Sequence, residues 1–442
     1  MIRFVDLFAG IGGIRLGFEQ ALDDLGVSHK CVLSSEIDKH AQETYELNFG
    51  EKTQGDIYKI EKFPDFDFLL AGFPCQPFSY AGKQKGFGDT RGTLFFEIER
   101  LLSTHKPEGF LLENVRGLMT HDGGRTLNTI LEKLEGLGYG VRCLLLNSSD
   151  FNVPQNRVRV YFVGIKNHFP KLTLKSDRGA TDSHQYKRSI SKDKGTSEKT
   201  SLVVKDILEK NPPAKYDCSP EFKKRLLNVL KLKKLSIHGV RLIDFRNGNS
   251  VHSWELGIKG DCTPEETEFM NQLIANRRKS IFGSDQDGKN LSIEQIRTFF
   301  DHQNLEGIMS SLISKNYLRE RDNLYNPVSG NMSFEVFKFL DPESISITLV
   351  TSDAHKLGVS HQGRLRHLTP RECARLQGYP DSFKHHPKDV CAYRQFGNSV
   401  SVPVIKAVVS DMFANNAFWK FLDKNRVRKM SRKKMLKFAE PA

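Results

Sequence analysis

Cys75 stands in the segment AGFPCQPFSYAG, residues 71–82, between Pro74 and Pro77 and beside the polar Gln76 and Ser79. Most cysteines are small buried hydrophobes. This one follows the apolar run FDFLL on a proline-stiffened loop, and loops at strand ends are where α/β folds hold reactive groups. A thiolate in such a place is a nucleophile that forms a covalent adduct and leaves again readily. The chain continues as GKQKGFGDTRGTLF, with glycines able to hinge and Lys83, Lys85 and Arg91 able to meet phosphates, so the stretch reads as a lid over nucleic acid.

A second set of residues has the types and spacing of a nucleoside pocket. DLFAGIGGIRLGFE places Gly10, Gly12, Gly13 and Gly17 after the apolar run 2–8 and before a helical pattern. Glycines at a strand-to-helix turn let a ligand approach the backbone, although the spacing departs from GxGxxG and a tight turn alone is also compatible with it. Glu36 ends the apolar run of CVLSSEID, where nucleotide-binding α/β folds put a carboxylate on ribose hydroxyls. Asp56, followed by Ile57 in QGDI, lies at another strand-like end. Together these predict an adenosine pocket at the carboxyl edge of a sheet, and the absence of GxxxxGK[ST] favours a nucleoside without a triphosphate. Glu113 closes the apolar run GFLLENV, and Arg157 and Arg159 alternate along the strand-like RVRVYFVG, so the two arginines share one face. A surface glutamate and a salt-bridged strand end are the plainer alternatives for these three.

The elements that must position these groups are legible in outline. Residues 1–165 alternate short apolar runs with amphipathic stretches, which predicts a mostly parallel sheet with helices on both faces. Residues 168–200 are poor in large apolar side chains and read as a linker. From 201 to 365 the βα rhythm is lost, and it is replaced after 366 by renewed helical patterning. The reading is a catalytic domain of 1–165 plus 366–442, with 166–365 inserted as a second domain. Within the insertion, residues 289–345 read as helix, turn, helix, hairpin, either a winged helix or a helical pair with a packing hairpin. Residues 420–437 form a basic tail, either a solvated helix end or a phosphate contact.

Composition narrows the classes. The 442 residues can bury a large core, and Lys+Arg exceed Asp+Glu by 66 to 53, a net charge of +13 that favours a polyanionic partner. The seven cysteines are scattered, with no CxxC pair, so spacing suggests neither a disulfide framework nor a zinc site, and a reducing cytoplasm is expected. No signal-peptide pattern or membrane-length apolar run is present.

In this order, DLFAGIGG, Glu36, GDI, GFPCQPFS, ENV at 113–115, QNRVR at 155–159, RECARLQGYP at 371–380 and QFGNSVSVPV at 395–404 resemble the motifs of the cytosine-C5 DNA methyltransferase family of the bacterial restriction-modification type. The resemblance covers the first 165 residues and about the last 75. It implies a Rossmann-like S-adenosylmethionine-dependent methyltransferase domain with a target-recognition domain at 166–365. It further implies S-adenosyl-L-methionine as methyl donor, held by Phe8, Gly10, Gly12, Gly13, Glu36, Asp56, Ile57, Pro74, Asn398, Ser399 and Val400, with no metal.

Carbon 5 of cytosine is too electron-poor to attack a sulfonium methyl until a nucleophile adds to carbon 6. By resemblance, Cys75 is that nucleophile and Glu113, kept protonated by burial, donates to ring nitrogen 3. Arg157 and Arg159 complete the catalytic set, with Arg159 preferred as the partner of Glu113 or of the cytosine carbonyl, and Gln155 supporting the strand end. The base that removes the carbon 5 proton is not identified. The target base must leave the duplex to be reached. Double-stranded DNA is the expected partner, with a cognate restriction endonuclease in the same system but no stable complex with it. The chain is expected to be monomeric, cytoplasmic and nucleoid-associated through DNA. A tRNA-modifying enzyme of the same fold and a DNA-binding protein on a decayed methyltransferase fold are the competing readings. The long middle segment speaks against the first, and intact Cys75, Glu113, Arg157 and Arg159 against the second. Recognition-loop candidates are Arg241, Arg246, Asn247 and Asn249.

Overall fold

The computed structural model describes residues 1–73, 94–175, 181–182, 202–284, 289–328, 334–416 and 418. Pro74, Cys75, the lid that follows them, most of the expected linker and the basic tail lie outside the described residues. The chain divides into two compact units, 1–208 with 344–354 and 370–442, and 209–343 with 355–369. The boundary therefore falls some forty residues after the change of texture at 165, and a short middle segment expected in the insertion belongs to the first unit. Among the described residues no helix is long and apolar enough to cross a membrane.

The first unit carries strands β1 (Ile2–Leu7), β2 (His29–Ser35), β3 (Phe68–Gly72), β4 (Gly109–Val115), β5 (Tyr139–Asn147), β6 (Val158–Lys166) and β7 (Thr181–Asp182). They form one sheet in the order β2-β1-β3-β4-β6-β5-β7. Its helices are α1 (Gly13–Asp24), α2 (Lys39–Phe49), α3 (Leu94–His105), α4 (Arg125–Gly136) and the short α5 (Val204–Ile207), followed after the second unit by α10 (Pro370–Arg375), α11 (Asp389–Asn398) and α12 (Val402–Asn415).

Alternate residues of each strand bury on opposite faces, as the period of two requires. Phe4, Phe68 and Leu70 pack with Phe18, Val404, Ile405 and Phe413 on one side. Val5, Leu69 and Ala71 pack with Ile98, Leu101 and Ile130 on the other. Such side chains each contribute roughly 1.5–3 kcal/mol by leaving water. The α1–α12 contact needs a missing side chain: a Cβ at Gly17 would lie 2.7 Å from Ile405 Cβ and 2.8 Å from the Val402 carbonyl oxygen. This contact brings the end of the chain back onto the first strands.

The sheet departs from the expected parallel pattern at one informative place. β1 pairs in parallel with β2 and β3, and β3 with β4, but β6 runs antiparallel to both β4 and β5. Because β6 is reversed, its first residues lie at the edge where the parallel strands end, and Val115 is paired with Arg159.

The second unit contains α6 (Pro220–Lys233), β8 (Arg241–Leu242), β9 (Ser250–Val251), α7 (Pro264–Asn276), α8 (Ile293–Arg297), α9 (Leu305–Ser314), the hairpin β10 (Leu318–Arg321) and β11 (Leu324–Pro327), and strands β12 (Lys338–Leu340), β13 (Leu357–His361) and β14 (Arg364–His367). Ser292 caps α8 with a capping box, and its neighbour Leu291 bridges Tyr325 in the hairpin, so helix, turn, helix and wing share one core with α7 around Phe269, Leu273, Leu305 and Leu312. This order matches the expected helix, turn, helix and hairpin, with the hairpin packed on the same core as the helices. β12, β13 and β14 form a separate three-stranded sheet.

Candidate active site

The glycine turn between β1 and α1 is built for close approach. Phe8, Gly10 and Gly12 have φ of 53°, 55° and 84°, so the left-handed region is used twice by glycine and once by a residue that resists it. The Phe8 ring is half-buried against the core. A Cβ at Gly10 would meet nothing within 4 Å, whereas one at Gly13 would lie 2.4 Å from the Tyr379 hydroxyl and 2.8 Å from Ser399 Oγ. Those two hydroxyls are hydrogen-bonded to each other at 2.5 Å.

Glu36 stands opposite the turn. Its Oε2 accepts the Gly10 N–H at 2.7 Å, and its Oε1 accepts the Asp38 N–H at 2.8 Å. Asp38 in turn caps α2 by accepting from the Ala41 N–H at 3.0 Å. The carboxylate is fixed by backbone donors, and each oxygen keeps a lone pair for a hydroxyl. Asp56 caps the short turn that follows it by accepting from the Tyr58 N–H at 3.1 Å, and Ile57 is buried. Under the turn, Asp6 is buried and held up to about 8 by that burial, against the pull of Arg15, and its Oδ1 has no hydrogen-bond partner.

Asn398 is the exposed last residue of α11, Ser399 lies between α11 and α12, and Val400 is buried. They lie at the end of α11 and just after it, and Ser401 takes the N-cap position of α12.

At the other corner of the same edge, Glu113 is 8 % exposed near the end of β4. Arg159 Nε lies 3.3 Å from its Oε1. Burial pushes the Glu113 carboxyl above the usual range, opposed by Arg159 first and Arg157 second. Arg157 faces elsewhere: its guanidinium donates to the Leu349 carbonyl at 2.7 Å and to the Ser399 carbonyl. Burial and the charge of Arg159 hold it down to about 10. The two arginines that look equivalent by alternation are thus separated, one beside the acid and one spanning between the start of β6 and the α11–α12 junction.

Gln155 is fully buried, accepts the Leu349 N–H at 2.8 Å and donates to the Leu376 carbonyl, so it holds residues 344–354 and α10 to the sheet edge. Two contributors lie within the quoted motifs, in ENV and RECARLQGYP, but had no role assigned from sequence. Asn114 donates from Nδ2 to the Phe73 carbonyl at 2.9 Å, fixing the residue just before Pro74 beside Glu113. Tyr379 closes the pocket wall through Ser399. Asn114 was within reach of the sequence, as the polar neighbour of Glu113 in an otherwise apolar strand. Tyr379 was marked only by its place in RECARLQGYP, which says nothing of its partner Ser399.

The model of the C-5 cytosine-specific DNA methylase family matches residues 2–414. The chain is 66 % identical over 413 residues to the type II methyltransferase M.HgiCI of Herpetosiphon aurantiacus, covering 93 % of this chain and 98 % of that one. It is 65 % identical over 416 residues to the type II methyltransferase M.BanI of Aneurinibacillus aneurinilyticus, covering 94 % and 96 %. Among solved structures, a DNA modification methyltransferase encoded within a prophage of E. coli shares the fold with a TM-score of 0.51 at 22 % identity, covering 94 % of this chain and 99 % of that one.

Proposed function

Because the chain belongs to the family of C-5 cytosine-specific DNA methylases, we propose that Cys75, Glu113 and Arg159 carry the covalent chemistry of methyl transfer while Arg157 positions them. The protein is a DNA cytosine-5-methyltransferase of a restriction-modification system. The pairing of buried Glu113 with Arg159 at 3.3 Å, beside the tethered Phe73 from which the Cys75 loop departs, carries this reading.

The family implies S-adenosyl-L-methionine, and the glycine turn and Glu36 suit its nucleoside: an open approach at Gly10 and a fixed carboxylate with lone pairs for ribose hydroxyls. Phe8, Gly10, Gly12, Gly13, Glu36, Asp56, Ile57, Pro74, Asn398, Ser399 and Val400 would hold it. When bound it supplies an electrophilic methyl group. Cys75 forms a bond to cytosine carbon 6, and the ring electrons move toward nitrogen 3, which takes a proton from Glu113. Carbon 5 becomes nucleophilic. After it is methylated, its proton passes to a base or to water, the carbon 6–sulfur bond breaks to release the Cys75 thiolate, and nitrogen 3 returns its proton to Glu113, which restores the ring. Arg159 stabilises the carboxylate that Glu113 becomes. No metal takes part in these steps.

The second unit reads the target. Arg246, Asn247 and Asn249 are exposed on one short loop. Asp244 anchors it by accepting the Ser253 N–H and hydroxyl, both at 2.7 Å, while Arg277 donates to the Phe245 carbonyl at 3.0 Å. Arginine and asparagine are the side chains suited to bidentate contact with guanine and adenine. The methylated site protects host DNA from a cognate endonuclease, and the enzyme acts as a cytoplasmic monomer.

Duplex DNA carrying 5-fluorocytosine, supplied with S-adenosylmethionine, tests the chemistry, because after methyl transfer fluorine cannot leave as a proton does and the adduct persists. Wild type should form a denaturant-resistant adduct with such DNA, and Cys75→Ser should form none. An adduct retained by Cys75→Ser would remove Cys75 as nucleophile, and labelled methyl appearing on tRNA instead of DNA would overturn the substrate. Bisulfite sequencing should show an altered sequence context for Arg246→Ala and Asn247→Ala. An unchanged context in both variants would remove this loop from recognition.

A further inference from the structure

Among the described residues, two clusters of metal-ligating side chains contain none of the residues assigned to methyl transfer, and their hydrogen bonding distinguishes them. In the first unit, His40, His386 and Cys391 offer ligand atoms within 4.8 Å of one another. His386 Nδ1, however, accepts the Lys388 N–H at 2.9 Å. The ring's proton is therefore on Nε2, which donates to Glu43 Oε2 at 2.9 Å. A metal on Nε2 would have to displace that proton and leave Nδ1 facing a second N–H, the opposite of the usual arrangement, in which a ligating histidine donates from its other nitrogen.

In the second unit, Cys218, Glu335 and His367 offer ligand atoms within 4.8 Å of one another, and here the surroundings agree with ligation. His367 Nδ1 lies 2.9 Å from the His355 carbonyl oxygen, which can only accept, so Nδ1 carries the proton and Nε2 keeps its lone pair. The Glu335 carboxylate is oriented by the N–H and hydroxyl of Ser219. Cys218 is buried, and its N–H donates to the Leu365 carbonyl at 2.9 Å, which lays its backbone along β14. Thiolate, imidazole and carboxylate together are a zinc-type donor set.

We infer that Cys218, Glu335 and His367 bind one divalent cation of the zinc class, with water completing the fourth position. Binding forms three metal–ligand bonds and releases the Cys218 proton to solvent. Cys218 precedes Ser219, the N-cap of α6, and His367 ends β14. The ion would therefore fasten α6 to the three-stranded sheet, a structural part apart from methyl transfer.

The test uses the full chain, stripped with a chelator and titrated with Co(II). Wild type and Cys391→Ser should both take up one equivalent and show the thiolate-to-cobalt absorption of a tetrahedral site. Cys218→Ser should lose that absorption, and His367→Gln should bind at least tenfold more weakly. Zn(II) should raise the Tm of wild type and leave that of Cys218→Ser unchanged, while metal-free wild type and His367→Gln should unfold together. No thiolate absorption in wild type, absorption retained by Cys218→Ser, or its loss in Cys391→Ser would each overturn the assignment. None of these readouts depends on methyl transfer.

Discussion

Glu36 and Glu113 are the same residue type at the carboxyl ends of two strands in one sheet, yet they are prepared for opposite tasks. Glu36 has each oxygen engaged by a backbone N–H, from Gly10 and Asp38. Such donors fix the direction of the carboxylate, as an anchor for hydroxyls requires. Glu113 is buried with an arginine nitrogen at 3.3 Å, and burial outweighs that charge. Backbone donors make a carboxylate a fixed acceptor, whereas withdrawing them and adding burial makes a carboxyl a proton donor.

The largest effect should come from removing the donor. Glu113→Gln should lower kcat by roughly 10²–10⁴-fold, the range for loss of a general acid, with little change in KM for S-adenosylmethionine. Wild-type kcat should fall as pH rises through the raised Glu113 value, because the acid must be protonated. Arg159→Ala removes the main charge opposing that rise, so the falling limb should move to higher pH even as the rate drops. Folding stability gives an independent check. Glu113 is raised above its unfolded value, so its contribution is fully present below about 4.3 and lost as pH rises through the folded value. Glu113→Gln should therefore gain stability relative to wild type as pH increases. A Glu113→Gln protein whose relative stability is flat with pH would break the contrast.

Arg157→Ala should separate positioning from chemistry. It leaves the Leu349 and Ser399 carbonyls without their guanidinium donor, costing roughly 1–3 kcal/mol for each that stays buried. Denaturant unfolding should show this, and the pH limb should move far less than in Arg159→Ala. At the anchor, Glu36→Ala should weaken S-adenosylmethionine binding roughly ten- to hundredfold, the equivalent of charged hydrogen bonds worth about 1.5–3 kcal/mol, measured as KM with kcat nearly unchanged. The smallest effect belongs to Asp38→Ala, which removes the α2 cap and should cost about 1 kcal/mol of stability while leaving the Asp38 N–H to Glu36 in place.

The two corners were not equally legible in the sequence. The anchor corner is local: a strand, a glycine turn and a carboxylate at the next strand end fall in the first 36 residues, and period-two alternation gives the strand directions into the core. The donor corner depends on β6 being reversed, which apolar runs do not encode, so alternation alone does not separate Arg157 from Arg159, and the preference for Arg159 came from the family resemblance. The helix-turn-helix-hairpin order of the second unit is likewise local, marked by the Ser292 capping box and the hairpin. Residues 344–354 were read as insertion because their tie to the first unit is made by Gln155 accepting the Leu349 N–H and by the Gln155–Ser346 bridge, contacts without periodicity. Cys218, Glu335 and His367 are far apart in the chain, so no ligand spacing announces them.

That same stretch bears on how specificity could be exchanged between relatives. The chain passes between the two units four times, at 208/209, 343/344, 354/355 and 369/370. β12 precedes the return and β13 follows it, yet the two pair in parallel, Lys338 with Leu357 through Leu340 with Val359. A chimaera that transplants residues 209–343 alone would give β12 a foreign neighbour, and one that transplants 209–369 whole would carry a foreign Leu349 against the host's Gln155. The smallest self-consistent graft is discontinuous, 209–343 together with 355–369, with the eleven residues between them left native.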